Sequence, residues 1–198
     1  MWGGYVGMSS IGFLNFNLFD NAIIFEPNPN SFSLIEKNIK QNNFSDQITA
    51  FNVALSNKNS ELLMELSHKN FGDHRIRQEG PVQEGYYHEE VRKIISVDSV
   101  AFDDFIKKNP QINFKNISMV WMDIQGHEGK FLQGANNFLS SQKIPVVMEF
   151  WPYGILRSGT TKNEFLENLV KLFTHFYIVD NEFTELQNIL NVEKLFDE

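Results

Sequence analysis

The stretch Ala22-Ile23-Ile24-Phe25-Glu26-Pro27-Asn28-Pro29 decides the fold. Its four apolar residues run without alternation, the pattern of a strand covered on both faces. The run stops on a carboxylate and turns at once into a helix. Asn28 suits the N-cap, and Pro29 suits the first helical position, where a missing N–H costs nothing. Glu26 is thereby fixed at the carboxyl end of a strand, where open α/β sheets bind ligands. Its two oxygens can accept hydrogen bonds from a pair of vicinal ribose hydroxyls. The competing reading is a solvated acid at a strand end.

Upstream, Gly3-Gly4-Tyr5-Val6-Gly7 is a glycine-rich loop, and Met8 to Phe19 is apolar enough to be a helix. A loop, a helix, then a strand ending in an acid make one nucleotide-binding half of a Rossmann-type sheet. The spacing of Gly3, Gly4 and Gly7 does not fit G-x-G-x-x-G. It fits G-x-x-x-G, a spacing common to S-adenosylmethionine sites, where the loop passes close to an amino-acid moiety and a Cβ would block the approach.

Composition narrows the class. The 198 residues suffice for one domain with a sizeable core. Twenty-five acidic against 17 basic residues give a net charge of −8, which argues against nucleic acid or an anionic membrane as partner. With no cysteine, disulfides and thiolate metal sites are excluded. No apolar run approaches the ~20 residues of a membrane span, and no basic signal-peptide start is present. The expectation is a soluble, cytoplasmic protein.

Along the chain, Pro29 to Gln41 has helical apolar spacing and Ile48 to Leu55 reads as a strand. Glu61 to Ser67 and Val91 to Val97 read as partner strands flanking Lys69 to Glu90, a long polar segment expected to form a lid. Asp103 to Lys108 is a short helix. Ile117 to Ile124 and Ile144 to Phe150 are buried strands carrying Asp123 and Glu149 at their ends. Gly126 to Leu139 and Thr161 to Phe173 are helices. Phe176 to Val179 with Phe183 to Leu186 suit a closing antiparallel pair. The sum is a mixed α/β sheet, one domain over 1–198 with a β-hairpin and loop insertion at about 61–97. Glu26, Asp123 and Glu149 then share one sheet edge.

Several of these segments resemble the FkbM family of S-adenosylmethionine-dependent methyltransferases. They are Phe25-Glu26-Pro27-Asn28-Pro29, Asn52-Val53-Ala54-Leu55-Ser56, and Met122-Asp123-Ile124-Gln125-Gly126-His127-Glu128 with Gly134-Ala135. The most specific part resembles the family's Asp-Val-Glu-Gly-x-Glu, with Gln125 in place of the commoner Glu. Asn70-Phe71-Gly72-Asp73-His74-Arg75 resembles a loop of some members. The resemblance implies a Rossmann-like class I methyltransferase sheet, mostly parallel with a terminal antiparallel hairpin and helices on both faces. It also implies S-adenosylmethionine as cofactor and O-methylation of a sugar or small-molecule hydroxyl.

By resemblance, Gly3 and Gly7 hold the cofactor's methionine part, with Tyr5 where the family often has Asn. Glu26 with Pro27 takes the ribose, Asn52 and Ala54 fall where the adenine would lie, and Asp123 sits near the methionine amino group and the substrate. A hydroxyl acceptor needs a base near neutrality. His127, nearest Asp123, and His74 on the long loop are the candidates beside Asp123 itself. Against each stands a plainer role, a solvent-facing helix start and a loop residue. Arg75, Glu149 and Trp151 are the expected substrate-side residues, Trp151 because sugars stack on aromatic faces. Asp123, Glu149 and His127 offer hard ligands, yet nothing in their spacing demands a metal, and none is expected.

The family has a buried strand before the glycine loop, whereas only Met1 and Trp2 precede Gly3 here. The expectation is therefore a fragment or a mis-assigned start, binding S-adenosylmethionine weakly or not at all. The remaining alternatives are a nicotinamide-dependent Rossmann oxidoreductase and a non-catalytic binding module. The partner expected is a small-molecule or carbohydrate acceptor, with self-association into a homo-oligomer left open.

Overall fold

The structure, a computed structural model, describes residues 6–77, 88–179 and 185–196. The readings placed on Gly3 and Tyr5, and residues 78–87 of the Lys69 to Glu90 segment, lie outside them. Helix α1 (Met8–Asn15) precedes β1 (Ala22–Phe25), and α2 (Pro29–Gln41) returns the chain to β2 (Ile48–Phe51), parallel to β1. Asn28 caps α2 by accepting the Asn30 N–H at 2.9 Å, and Ile35 and Ile39 face inward. Those local signals suffice to place Glu26 at the end of β1.

The single strand expected over Ile48 to Leu55 is broken. β3 (Ala54–Ser56) belongs to a second sheet. The break falls at Asn52, whose side-chain amide donates to the carbonyls of Glu26 at 2.8 Å and Pro27 at 3.1 Å. The chain therefore turns away from β1 just where the two strand ends are tied together.

The second sheet runs in the order β3, β6 (Lys93–Ala101), β4 (Ser60–Leu66), β5 (Arg75–Ile76). β3 is parallel to β6, and β4 is antiparallel to both β6 and β5. Helix α3 (Phe102–Lys108) leads to β7 (Val120–Met122). The long helix expected over Gly126 to Leu139 is two, α4 (Glu128–Gly134) and α5 (Asn136–Gln142), parted at Ala135. β8 (Val146–Met148) is parallel to β7, with Met122 opposite Met148, so Asp123 and Glu149 leave neighbouring strands side by side.

Helix α6 (Pro152–Arg157) follows, and then α7 (Lys162–Leu172), which opens on a capping box between Thr161 and Glu164. The closing antiparallel pair joins β9 (His175–Phe176) to β10 (Gln187–Asn188), so the first strand meets its expected bounds only at Phe176 and the second begins just past Leu186. The architecture is α/β. Its largest core cluster gathers Phe25, Phe102, Phe131, Ile155 and Phe165. The Phe25 and Phe105 rings meet edge-on at 5.0 Å, a preferred aromatic geometry. This packing fixes the floor beneath the ends of β1 and β7.

Candidate active site

A cleft opens where the ends of β1 and β7 meet the second sheet. Glu26, Pro27, Ala54, His74, Arg75, Asp123 and His127 all line it, together with Gln125. Seven residues singled out from the sequence are thus brought to one place. Glu26 is buried, and its Oε1 accepts the Asn28 N–H at 2.8 Å. A carboxylate offers about four lone-pair positions, so this tie is compatible with further ligand hydroxyls. Asn52 is not among the lining residues, since its amide is spent on the backbone ends of β1. Gly7 also stands outside the lining. It opens α1 at φ +80°, a conformation that favours glycine.

In the same cleft, the turn after β7 presents Asp123. The Gln125 side chain donates to Asp123 Oδ1 at 2.6 Å and to Glu149 Oε2 at 3.0 Å. The turn is tight: Gln125 has φ 54° and Gly126 φ 95°. A Cβ at Gly126 would lie 2.2 Å from the Gly154 backbone, so α6 presses directly on the turn. Partial burial, and then the Asp123 carboxylate beside it, raise Glu149 to about 7. A carboxyl that titrates near neutrality therefore stands at this edge, with its outer flank exposed.

The two histidines differ. His127 is buried, its Nε2 lies 3.0 Å from the Ser56 hydroxyl, and burial lowers its pKa to about 4. A ring held that low takes up a proton poorly at neutral pH. The reading of His127 as a solvent-facing helix start is corrected by α4 packing on β3. His74 keeps part of its surface in the cleft, and its Nδ1 accepts the Ser67 N–H at 3.1 Å. Burial first, and then the Arg92 guanidinium, lower its pKa.

Behind the cleft lies a charged network that local sequence patterns did not reveal. Arg75 bonds Glu89 at 2.8 Å and also pairs with Asp73, which Arg92 engages from the other side. Arg157 Nε reaches Glu89 at 2.9 Å and the Tyr153 hydroxyl donates to Glu89 at 3.1 Å, tying α6 to the insertion. Glu65 is buried among three guanidiniums at 3.8–4.0 Å, from Arg75, Arg92 and Arg157. The described flanks of the expected lid are thus fastened down. Arg75 also lies over the Trp151 ring at 4.8 Å, within cation–π range. Trp151, Asp73, Arg92 and Gln125 wall a second recess, so Gln125 separates it from the main cleft.

The methyltransferase FkbM domain model matches residues 7–186. The chain belongs to the FkbM methyltransferase family. A crystal structure titled methyltransferase FkbM from Methylobacillus flagellatus KT aligns with a TM-score of 0.50 at 17% identity. The alignment covers 83% of this chain and 35% of that one, so this chain spans about a third of the longer protein. At that identity the likeness speaks for the fold alone. Among curated proteins nothing matches. Within an FkbM methyltransferase frame, Glu128 is the residue whose state the motif did not disclose. It is buried, accepts the Ile124 N–H at 3.2 Å, and burial raises it to about 8, so it is neutral at pH 7. It serves the turn carrying Asp123 as a hydrogen-bonding, uncharged side chain.

Proposed function

We propose that the cleft binds S-adenosylmethionine and that the protein transfers the methyl group to a hydroxyl of a sugar or small-molecule acceptor. The observation that carries this reading is that Glu26, at the end of β1, and Asp123, at the end of β7, line one cleft, each strand belonging to a parallel pair. Glu26 suits the ribose hydroxyls, and the apolar wall of Val53, Leu55 and Met64 suits a purine. Asp123 suits the ammonium of the amino-acid end. When bound, the cofactor supplies an electrophilic methyl carbon on a sulfonium. The chain's own work is to hold the acceptor oxygen in line with it, worth up to ~7–11 kcal/mol in well-oriented systems. Trp151 and the second recess, sharing Gln125 with the cleft, are the acceptor side. Glu149, raised to about 7 beside Asp123, is the proton acceptor best placed there.

Calorimetry with S-adenosylhomocysteine and, separately, with NAD tests the reading. Weak but saturable binding of the first and none of the second is expected. Binding of NAD without S-adenosylhomocysteine would replace it with the oxidoreductase alternative.

A further inference from the structure

The segment Asn70-Phe71-Gly72-Asp73-His74-Arg75 has no role in the reading above, yet it is tightly built. The Asn70 N–H donates to the Ser67 hydroxyl at 3.2 Å, the Gly72 N–H donates to Asn70 Oδ1 at 3.0 Å, and the Asp73 N–H donates to the Asn70 carbonyl at 3.0 Å. Arg75 and Arg92 clasp Asp73 from both sides. The Phe71 ring stands edge-on to His74 at 6.2 Å. The product of this folding is one oriented imidazole.

Its proton can be placed. Ser67 N–H is a donor, so His74 Nδ1, its partner at 3.1 Å, carries no proton. A neutral imidazole has one N–H, which therefore sits on Nε2. Nε2 makes no hydrogen bond among the described residues, and the ring lines the cleft. Taking up a second proton is opposed by burial and by the Arg92 charge, with Asp73 pulling the other way. The group so made is a fixed donor, the opposite of a general base.

The surroundings indicate what it donates to. Leu55, Met64, Ile76 and Phe71 line the same part of the cleft. They suit a flat aromatic base more than a polyol, and a purine offers unshared pairs on its ring nitrogens. We propose that His74 is a specificity-determining residue that donates its Nε2–H to a ring nitrogen of the adenine base in the cleft. The inference rests on the reading that this cleft takes an adenosyl ligand.

Three measurements on the full chain test it. Long-range 1H–15N spectra of the ligand-free protein at pH 7, with His74 assigned by difference from His74→Gln, should show Nε2 protonated and Nδ1 bare. His74→Asn keeps an acceptor for Ser67 and deletes the donor. It should fold, by circular dichroism, and bind S-adenosylhomocysteine roughly three- to tenfold more weakly, as expected for one lost neutral hydrogen bond. His74→Gln, which restores an amide near Nε2, should bind within about twofold of the wild type. 5′-Methylthioadenosine, lacking the amino-acid end, should show the same loss with His74→Asn. A proton on Nδ1, unaltered binding by His74→Asn, or a loss seen only with S-adenosylhomocysteine would overturn the proposal. The expected tautomer with no wild-type binding of either nucleoside would instead overturn the adenosyl reading beneath it.

Discussion

Two charged regions adjoin at the cleft, and they treat charge in opposite ways. The insertion sets Glu65, Asp73 and Glu89 against Arg75, Arg92 and Arg157, three acids with three guanidiniums. At the sheet edge, Asp123 and Glu149 are bridged by a neutral amide from Gln125. Charge packed against opposite charge builds a wall, and its removal is felt as stability. Charge that is met only by an amide stays poised for protons and ligands, and is felt as a perturbed pKa. The difference separates scaffold from chemistry within a single cleft.

The contrast is broken most forcefully at Arg75. Arg75→Leu takes one guanidinium from each of Glu65, Asp73 and Glu89, leaves three acids to two guanidiniums, and should lower stability by about 3–5 kcal/mol. Urea unfolding monitored by circular dichroism checks it. A loss below about 1 kcal/mol, the range of exposed pairs, would show that the network is not the buried wall described.

Glu128 should report on pH. It holds its proton up to about pH 8 in the folded chain but only to about 4.5 when unfolded, so the folded state binds more protons between and loses stability as pH rises. His127 acts in the other direction: its pKa falls from 6.5 to about 4 on folding, so stability is lost as pH drops through that range. The two slopes oppose each other from 4.5 to 6.5, leaving a decline from 6.5 to 8, at most about 1.4 kcal/mol per pH unit from one group. Glu149 adds to the same fall, reduced by its exposed flank. Glu128→Gln should flatten the decline above pH 6.5 in a thermal-denaturation series. A decline of unchanged slope in that variant would assign it elsewhere.

A smaller and more local effect is expected at the acid edge. Asp123→Asn removes the like charge beside Glu149, so the Glu149 carboxyl should titrate lower, toward the ordinary range for a glutamate. Carboxyl 13C NMR reads this directly. A Glu149 midpoint that stays near 7 in the variant would mean that burial alone sets it.

How much of this was legible in the sequence follows from the range of each signal. The apolar run, the capping Asn28 and Pro29 are contiguous, and α2 keeps the bounds they imply. The Asp123 and Glu149 strand ends were legible for the same reason. The break at Asn52 was not, because Ile48 to Leu55 is largely apolar and the interruption comes from a contact 26 residues back. Helix α6 escaped notice at six residues, too short for periodicity to register. The Arg75–Glu89–Arg157 network joins residues 14 and 68 apart, which no local pattern discloses. The histidines were visible as types, but their roles depend on partners, Ser56 for His127 and the Ser67 N–H for His74.

The central claim is that Glu26, fixed at the end of β1, anchors the ribose of an adenosyl ligand in the cleft. Calorimetric titration of S-adenosylhomocysteine into the wild type and Glu26→Ala tests it most directly. The account predicts affinity weaker by about 1–3 kcal/mol in the variant, the cost of leaving buried polar groups unpaired. Equal affinity in the two proteins would contradict it.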